Sequence, residues 1–232
     1  MDEKSLKTKK WQRVGILTIA ILMLGSTIAM YMMIIVGGNG NNSNSNSDNS
    51  ETAELETAVQ EKRAALDEMA QTLSDEYLNE MIGYKSEIHS YNAEAANEGG
   101  VTTRDLKDGD GMELAEGDMN YIAYYIGYCP NESVFDSSFD NAEDPTKLKT
   151  PISGGGLIEG WNEGVVGMKL GGVREISVPS SLAYGEREMC DMTNTPLKFV
   201  VMALPKEGDI KTAYDEYDDA YARLMAAYGH SS

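Results

Sequence analysis

The sequence predicts an α+β fold: an antiparallel sheet wrapped on one short helix, with further helices attached on both sides. Three observations carry this reading. Within residues 99–207, apolar residues recur at period two near the front and the back, as in half-buried strands. Between those stretches, Ile158, Trp161, Val165 and Met168 recur at three and four, as on one helical face. Outside them, residues 51–98 and 208–232 keep a helical period, and residues 14–36 contain no charge. The expected organisation is a basic segment over 1–13, a transmembrane helix over 14–36, a flexible linker over 37–50, an amphipathic or coiled-coil region over 51–98, a globular domain over 99–207, and a C-terminal helix and tail over 208–232.

Met1 to Arg13 holds Lys4, Lys7, Lys9, Lys10 and Arg13 against Asp2 and Glu3, and the 23 residues Val14 to Val36 follow without a charge. At about 1.5 Å of rise per residue such a helix spans roughly 30 Å of hydrocarbon. The apolar run is longer than that of a cleaved signal peptide, and no small-residue cleavage site is evident after it. The expectation is an uncleaved anchor, its basic end held in the cytoplasm and everything after Val36 extracytoplasmic. Gly37 to Ser50 is made of Gly, Asn, Ser and one Asp, which offer no apolar surface to bury and so predict a tether.

The chain has 19 basic and 38 acidic residues, and removing those before Val14 leaves a net charge of −22. A field of that sign repels phosphate backbones, which argues against nucleic acid as a partner. His89 and His230 stand far from Cys129 and Cys190, so no zinc-ligand spacing occurs and neither a metal nor a cofactor is expected. The two cysteines have two open readings, one disulfide in an oxidising compartment or two separate half-buried thiols.

From Glu51 the period is helical. Leu55, Val59, Leu66, Met69 and Leu73 fit one stripe, and after a four-residue step Tyr77, Met81, Tyr84, Ile88, Tyr91 and Ala95 resume it. This predicts either a long helix lying on its own domain or a coiled coil through which the protein forms a homodimer. Beyond Gly208, Tyr214, Tyr217, Tyr221, Leu224 and Tyr228 form a second aromatic stripe. Its expected mate is the Tyr77 to Tyr91 part of the first helix.

Within 99–207, Met119 to Ile126 alternates and Gly127 is expected to end the strand; Ile176 and Val178, and Leu197, Phe199, Val201 and Ala203, also recur at two. Asp108 to Gly111 and Glu116 to Asp118 supply turns. Trp161 in so short a helix must be covered by chain on both sides, as core or as the floor of a pocket.

The series Tyr121-Ile-Ala-Tyr-Tyr-Ile-Gly127, Val134-Phe-Asp-Ser-Ser138, Leu157 to Gly164, Gly167-Met-Lys-Leu-Gly-Gly172 and Val178-Pro-Ser-Ser-Leu-Ala-Tyr-Gly-Glu-Arg187 strongly resembles the FKBP-type peptidyl-prolyl isomerases over about residues 99–207. The resemblance implies an FKBP-like sheet and isomerisation of X-Pro bonds in unfolded or exported polypeptides. It implies Trp161 as the floor under the proline ring, with Tyr125, Phe135, Leu148, Leu157 and Phe199 as substrate-binding walls. The N–H of Ile158 and the hydroxyl of Tyr184 would hold substrate carbonyls, and Asp136 would stand beside the twisting carbonyl. Read locally, Asp136 is equally a turn carboxylate on the Ser137 or Ser138 N–H, and Tyr184 a core phenol.

Leu148 replaces a usual aromatic, Asn141 a frequent arginine and Gly156 a polar neighbour. The loop Glu186 to Met192 lacks the family's Gly-Ile-Pro-Pro-rich turn, which predicts a more polar roof with Met189 and Met192 as replacement contacts. The alternative to an enzyme is a weakly or non-catalytic holdase that grips unfolded chains with the same groove and the aromatic helices.

Overall fold

The computed structural model describes residues 46–230. The elements in chain order are α1 (Asn46–Gly83), a 3₁₀ turn (Tyr84–Glu87), α2 (Ala93–Glu98), β1 (Thr102–Lys107), β2 (Tyr121–Tyr128), β3 (Val134–Ser137), β4 (Ile152–Ser153), α3 (Glu159–Gly164), β5 (Val173–Val178), a 3₁₀ turn (Ser180–Leu182), β6 (Leu197–Pro205) and α4 (Gly208–His230). The basic segment 1–13 and the anchor 14–36 lie outside the described residues. Among the described residues no helix is long and apolar enough to cross a membrane. The linker expected over 37–50 ends early, because Asn46–Ser50 already belongs to α1. Asn, Ser and Asp are the residue types that begin helices well, so their polarity did not exclude helix there.

The described residues fall into two compact units, residues 67–211 and residues 46–66 with 212–230. The larger unit is built on one antiparallel sheet in the order β1-β5-β6-β2-β3, with β4 also paired to β2. The fold is therefore α+β with an antiparallel sheet, as the sequence predicts. β2 and β6 form its centre and are buried on both faces: Tyr121, Ile122, Ala123 and Tyr124 are each at most 1% exposed. That explains why β2 has apolar residues at every position instead of a clean alternation.

On one face, Tyr121, Ala123, Ile176, Val178, Phe199 and Val201 share a core with Trp161 of α3. Helix α3 approaches β5 through two glycines one turn apart. A Cβ on Gly160 would lie 2.2 Å from Val178 Cγ1, and one on Gly164 would lie 2.3 Å from Ile176 Cγ2. The opposite face is covered by the second part of α1. The Tyr77 ring lies 6.4 Å from that of Tyr124, and Ser74 Oγ accepts the Leu148 N–H at 2.8 Å. On this face Glu175 accepts from Lys198 at 3.1 Å, Tyr128 at 3.0 Å and Arg104 at 3.2 Å. Burial alone would raise its pKa, but Lys198 and the other donors outweigh it and hold the carboxyl below its ordinary value.

Four expectations are corrected. The buried line of α1 keeps Val59, Leu66 and Met81 of the expected stripe but passes through Ala70 and Ser74 where Met69 and Leu73 were expected, and Met69 is 42% exposed. The helical period does not continue to Ala95. It stops at Gly83, passes through the 3₁₀ turn and an extended Ile88, and resumes in α2, where Asn92 Oδ1 caps the Ala95 N–H at 2.8 Å. Gly127 does not end β2 but sits inside it, opposite Asp136 and Phe199. A Cβ there would come 2.8 Å from the Phe135 ring, so glycine is required by a close approach. Finally, the partner that α4 shows within its own unit is the first part of α1.

In the smaller unit α4 pairs with the first part of α1. Lys62 Nζ donates to Glu216 at 2.8 Å, the Tyr228 hydroxyl donates to Glu56, and Arg63 lies over the Tyr217 ring at 5.8 Å. Tyr217 and Tyr221 stack with centroids 6.2 Å apart, and Val59, Tyr214 and Leu224 are buried. Tyr77 and Tyr91 are instead used on the sheet, against Tyr124 and Tyr128.

The close approach of α3 to β5 yields a direct prediction. Gly164→Ala forces Ile176 or the helix to move and costs about 1–3 kcal/mol. Chemical denaturation at equilibrium measures it, and an unchanged midpoint would contradict the packing described.

Candidate active site

Strand β2 supplies two aromatic side chains to the core face, because residues two apart on a strand point the same way. Tyr121 receives the Trp161 Nε1–H on its hydroxyl at 3.0 Å, in a buried setting. Tyr125 meets the edge of the Trp161 indole, with centroids 5.7 Å apart and planes at 86°. Phe199 of β6 meets the indole at 5.3 Å and 72°, and Phe135 of β3 meets Phe199 at 5.7 Å and 81°. The four rings form a continuous edge-to-face chain, the favoured geometry for aromatic quadrupoles. Leu157, Ile158, Leu182, Ala183 and Tyr184 are partly buried against the same cluster.

The polar groups stand beside the rings. Asp136 of β3 accepts the Tyr125 hydroxyl on Oδ2 at 2.5 Å and the Ser137 N–H on Oδ1 at 2.9 Å. It is thus both a turn carboxylate and the partner of a ring in the aromatic chain. Tyr125 is fixed in turn by Ser138, which accepts its N–H on Oγ at 2.9 Å and donates its own N–H to the Tyr125 carbonyl at 2.9 Å. Ile158 precedes α3 with φ −59° and ψ 151° and accepts the N–H groups of Trp161 and Asn162. Neither the N–H of Ile158 nor the hydroxyl of Tyr184 has a hydrogen-bond partner among the described residues.

Of the residues expected at the site, Tyr125, Phe135, Asp136, Leu157, Ile158, Trp161, Tyr184 and Phe199 are brought together. Leu148 is not. It is 4% exposed, bridges Phe139, and gives its N–H to Ser74 of α1, so it belongs to the side of the sheet that α1 covers.

Comparison with known proteins agrees with this geometry. The profile of the FKBP-type peptidyl-prolyl cis-trans isomerases matches residues 112–204. The FK506-binding protein of Neisseria meningitidis serogroup B (strain ATCC BAA-335 / MC58) is 38% identical over 87 residues, which are 38% of this chain and 76% of that protein. That of Streptomyces anulatus is 36% identical over 88 residues, 38% of this chain and 68% of that protein. FK506-binding protein 1 of Yarrowia lipolytica is 36% identical over 88 residues, 38% of this chain and 79% of that protein. The chain belongs to the FKBP-type peptidyl-prolyl cis-trans isomerases.

This FKBP is accordingly an enzyme that interconverts X-Pro peptide bonds, and its substrates are proline-containing polypeptides. Its roof departs from the motifs read in the sequence. Met189 and Met192 exchange backbone hydrogen bonds at 2.9 and 3.0 Å around Cys190 and Asp191, which have φ of 56° and 60°. Two successive residues at positive φ make a tight hairpin turn of the primed kind. The Thr195 hydroxyl braces it from below through the carbonyls of Met189 and Met192, both at 2.7 Å. Cys190 at the tip is bonded to Cys129 just after β2, which resolves the two readings of the cysteines as a disulfide.

Sequence reasoning missed Tyr121 as the support of Trp161. A phenol four residues before Tyr125 on a strand was the available signal, since both must face the same side. It also missed the bracing of the roof by Thr195, for which no local pattern exists.

Burial pushes the Tyr121 hydroxyl up to about 12, with the Trp161 N–H pulling slightly the other way. Tyr125 and Tyr184 are also raised, by burial first and then by the Asp136 carboxylate. These phenols hold their protons more tightly folded than unfolded. The stability they contribute is fully present below about pH 10 and is lost as pH rises toward their folded values. Urea midpoints of this FKBP should therefore be lower at about pH 11 than at about pH 8, and equal midpoints would contradict the burial of these hydroxyls.

Proposed function

We propose that the chain accelerates X-Pro isomerisation in exported or surface polypeptides by desolvating the prolyl amide over Trp161. The observation that carries this reading is the edge-to-face ring chain with unengaged hydrogen-bonding groups at its border. Rotation about an X-Pro bond faces a barrier of about 18–20 kcal/mol because the planar amide is resonance-stabilised. The twisted amide has lost much of its charge separation, so an apolar pocket favours it over the planar form, which water solvates better. No proton needs to move.

In this reading Trp161 is the floor under the proline ring, and Tyr125, Phe135, Leu157 and Phe199 are its walls. The Ile158 N–H and the Tyr184 hydroxyl hold substrate carbonyls, and Asp136, oriented by Tyr125, stands beside the carbonyl that turns. The absence of an acceptor for the Ile158 N–H and of a partner for Tyr184 among the described residues supports these two roles. A holdase that grips clients by its aromatic helices is less well supported. Tyr214 is buried, and Tyr217 and Tyr228 are engaged with Arg63 and Glu56 of the same chain. A homodimer through residues 51–98 would likewise have to do without Val59, Leu66, Ala70 and Met81, which are buried within one chain.

Location outside the cytoplasm, behind an anchor over 14–36 with a cytoplasmic N-terminus, is part of the same proposal. It is supported by the charge-free run after a basic segment and by the Cys129–Cys190 bond, since disulfides persist in oxidising compartments.

One assay addresses both parts. A membrane-impermeant X-Pro peptide should be isomerised by intact cells displaying the full chain, and Trp161→Ala and Asp136→Ala should each lower kcat/KM by about tenfold or more. No turnover by wild type in lysed cells would sink the site assignment, and turnover only after lysis would sink the location.

A further inference from the structure

The segment between α1 and β1 precedes the stretch that matches the isomerase family, yet it reaches the roof of the pocket. Ser90 gives its N–H to Glu132 at 2.9 Å and Tyr91 gives its N–H to the Pro130 carbonyl at 3.1 Å, which fixes the start of the segment beside the end of β2. The Tyr91 ring lies against Tyr128 at 6.2 Å, with Lys198 over its other side at 5.0 Å, and its hydroxyl donates to the Pro196 carbonyl at 2.9 Å. Helix α2, capped by Asn92, then carries Asn97 to the loops on the pocket side.

Asn97 uses both ends of its amide. Its Nδ2 donates to the Asn194 carbonyl at 2.8 Å, at the end of the roof loop. Its Oδ1 accepts the Ser180 N–H at 2.8 Å, at the start of the turn that leads to Tyr184. Ser180 is buried, and its carbonyl accepts the N–H groups of Ala183 at 3.1 Å and Gly185 at 2.8 Å, the two residues that flank Tyr184. The Ser180 peptide is therefore held by Asn97 on one side and holds the Tyr184 loop on the other. Asn194 has φ 52°, a left-handed conformation that asparagine adopts more readily than most residues.

We infer that Asn97 is a positioning residue for isomerisation, and that the Ser90–Asn97 segment is a strap that sets the Tyr184 hydroxyl and the Glu186–Asn194 roof relative to each other. This rests on the role given above to Tyr184. A side chain that bridges two loops removes their independent motion, and the geometry needed in the transition state is then present before substrate arrives. It also gives the helical extension a part in turnover that a spacer would not have.

The test is a double-mutant cycle on the full chain with an X-Pro peptide. Asn97→Ala is expected to lower kcat/KM by about fivefold, mostly in kcat, the magnitude of a lost positioning hydrogen bond. Glu98→Ala, at an exposed position of the same helix beyond the segment, should stay within about twofold. In a Tyr184→Phe background Asn97→Ala should add less than about twofold, because the group it positions is gone. Asn97→Asp keeps the acceptor for the Ser180 N–H but loses the donor to the Asn194 carbonyl, so it breaks the bridge and is expected to lower kcat/KM by about fivefold as well; it also serves as the reading if Asn97→Ala does not fold.

Equal effects of Asn97→Ala and Glu98→Ala would overturn the inference, as would a full Asn97→Ala effect in the Tyr184→Phe background. An Asp variant as active as wild type would overturn it too. A Tyr184→Phe enzyme with unchanged kcat/KM would sink the role of Tyr184 and the inference with it, whereas an impaired Tyr184→Phe beside an unimpaired Asn97→Ala would sink the inference alone.

Discussion

The indole N–H of Trp161 donates to the Tyr121 hydroxyl at 3.0 Å between two buried side chains, and the geometry of the pocket follows from that bond. A buried indole needs a partner for its one donor, and a tyrosine on the central strand supplies it while adding apolar surface of its own. The bond sets the rotation of the ring within α3. That rotation in turn sets which edges Tyr125 and Phe199 meet. Gly160 and Gly164 allow the six-residue helix to lie close enough to β5 for the ring to reach β2 and β6. The C-terminal end of the helix is held by Arg174, whose guanidinium donates to the Gly164 and Val166 carbonyls at 3.0 and 2.9 Å and pairs with Asp105 at 2.5 Å. A floor built this way is rigid before substrate arrives, as catalysis by desolvation requires.

Around that floor the chain uses three separate fastenings. The disulfide ties the hairpin tip at Cys190 to the end of β2, Thr195 braces the hairpin from below, and the segment from Ser90 to Asn97 crosses from Pro130 to Ser180. Each replaces part of what a proline-rich turn would do by restricting the backbone. The roof is polar and lacks that turn, yet it is not loosely held.

The aromatic site was largely legible in the sequence because its residues fall on regular elements. Tyr125 and Phe199 follow from a period of two, and Trp161 with Val165 and Met168 from a period near 3.6, so facing could be read directly. Leu148 was misplaced because it lies in an irregular segment, where periodicity says nothing, and its environment is decided by Ser74, distant in sequence. β1 gave no signal: its side chains are mostly exposed, and its pairing with β5 is made by the backbone. Gly127 was misread as a terminator because a glycine required by a neighbouring ring looks the same in sequence as one required by a turn. The break after Gly83 and the partner of α4 rest on contacts between residues far apart in sequence, which local pattern does not contain.

Nuclear magnetic resonance titration with an X-Pro peptide tests the central claim most directly, because it reports where the proline binds. The account predicts that the Trp161 indole and the Ile158 amide resonances shift together and saturably, with the side chains of Tyr125 and Phe199 responding alongside them. Shifts confined to α4 and the first part of α1, with the Trp161 indole unmoved at saturation, would contradict it.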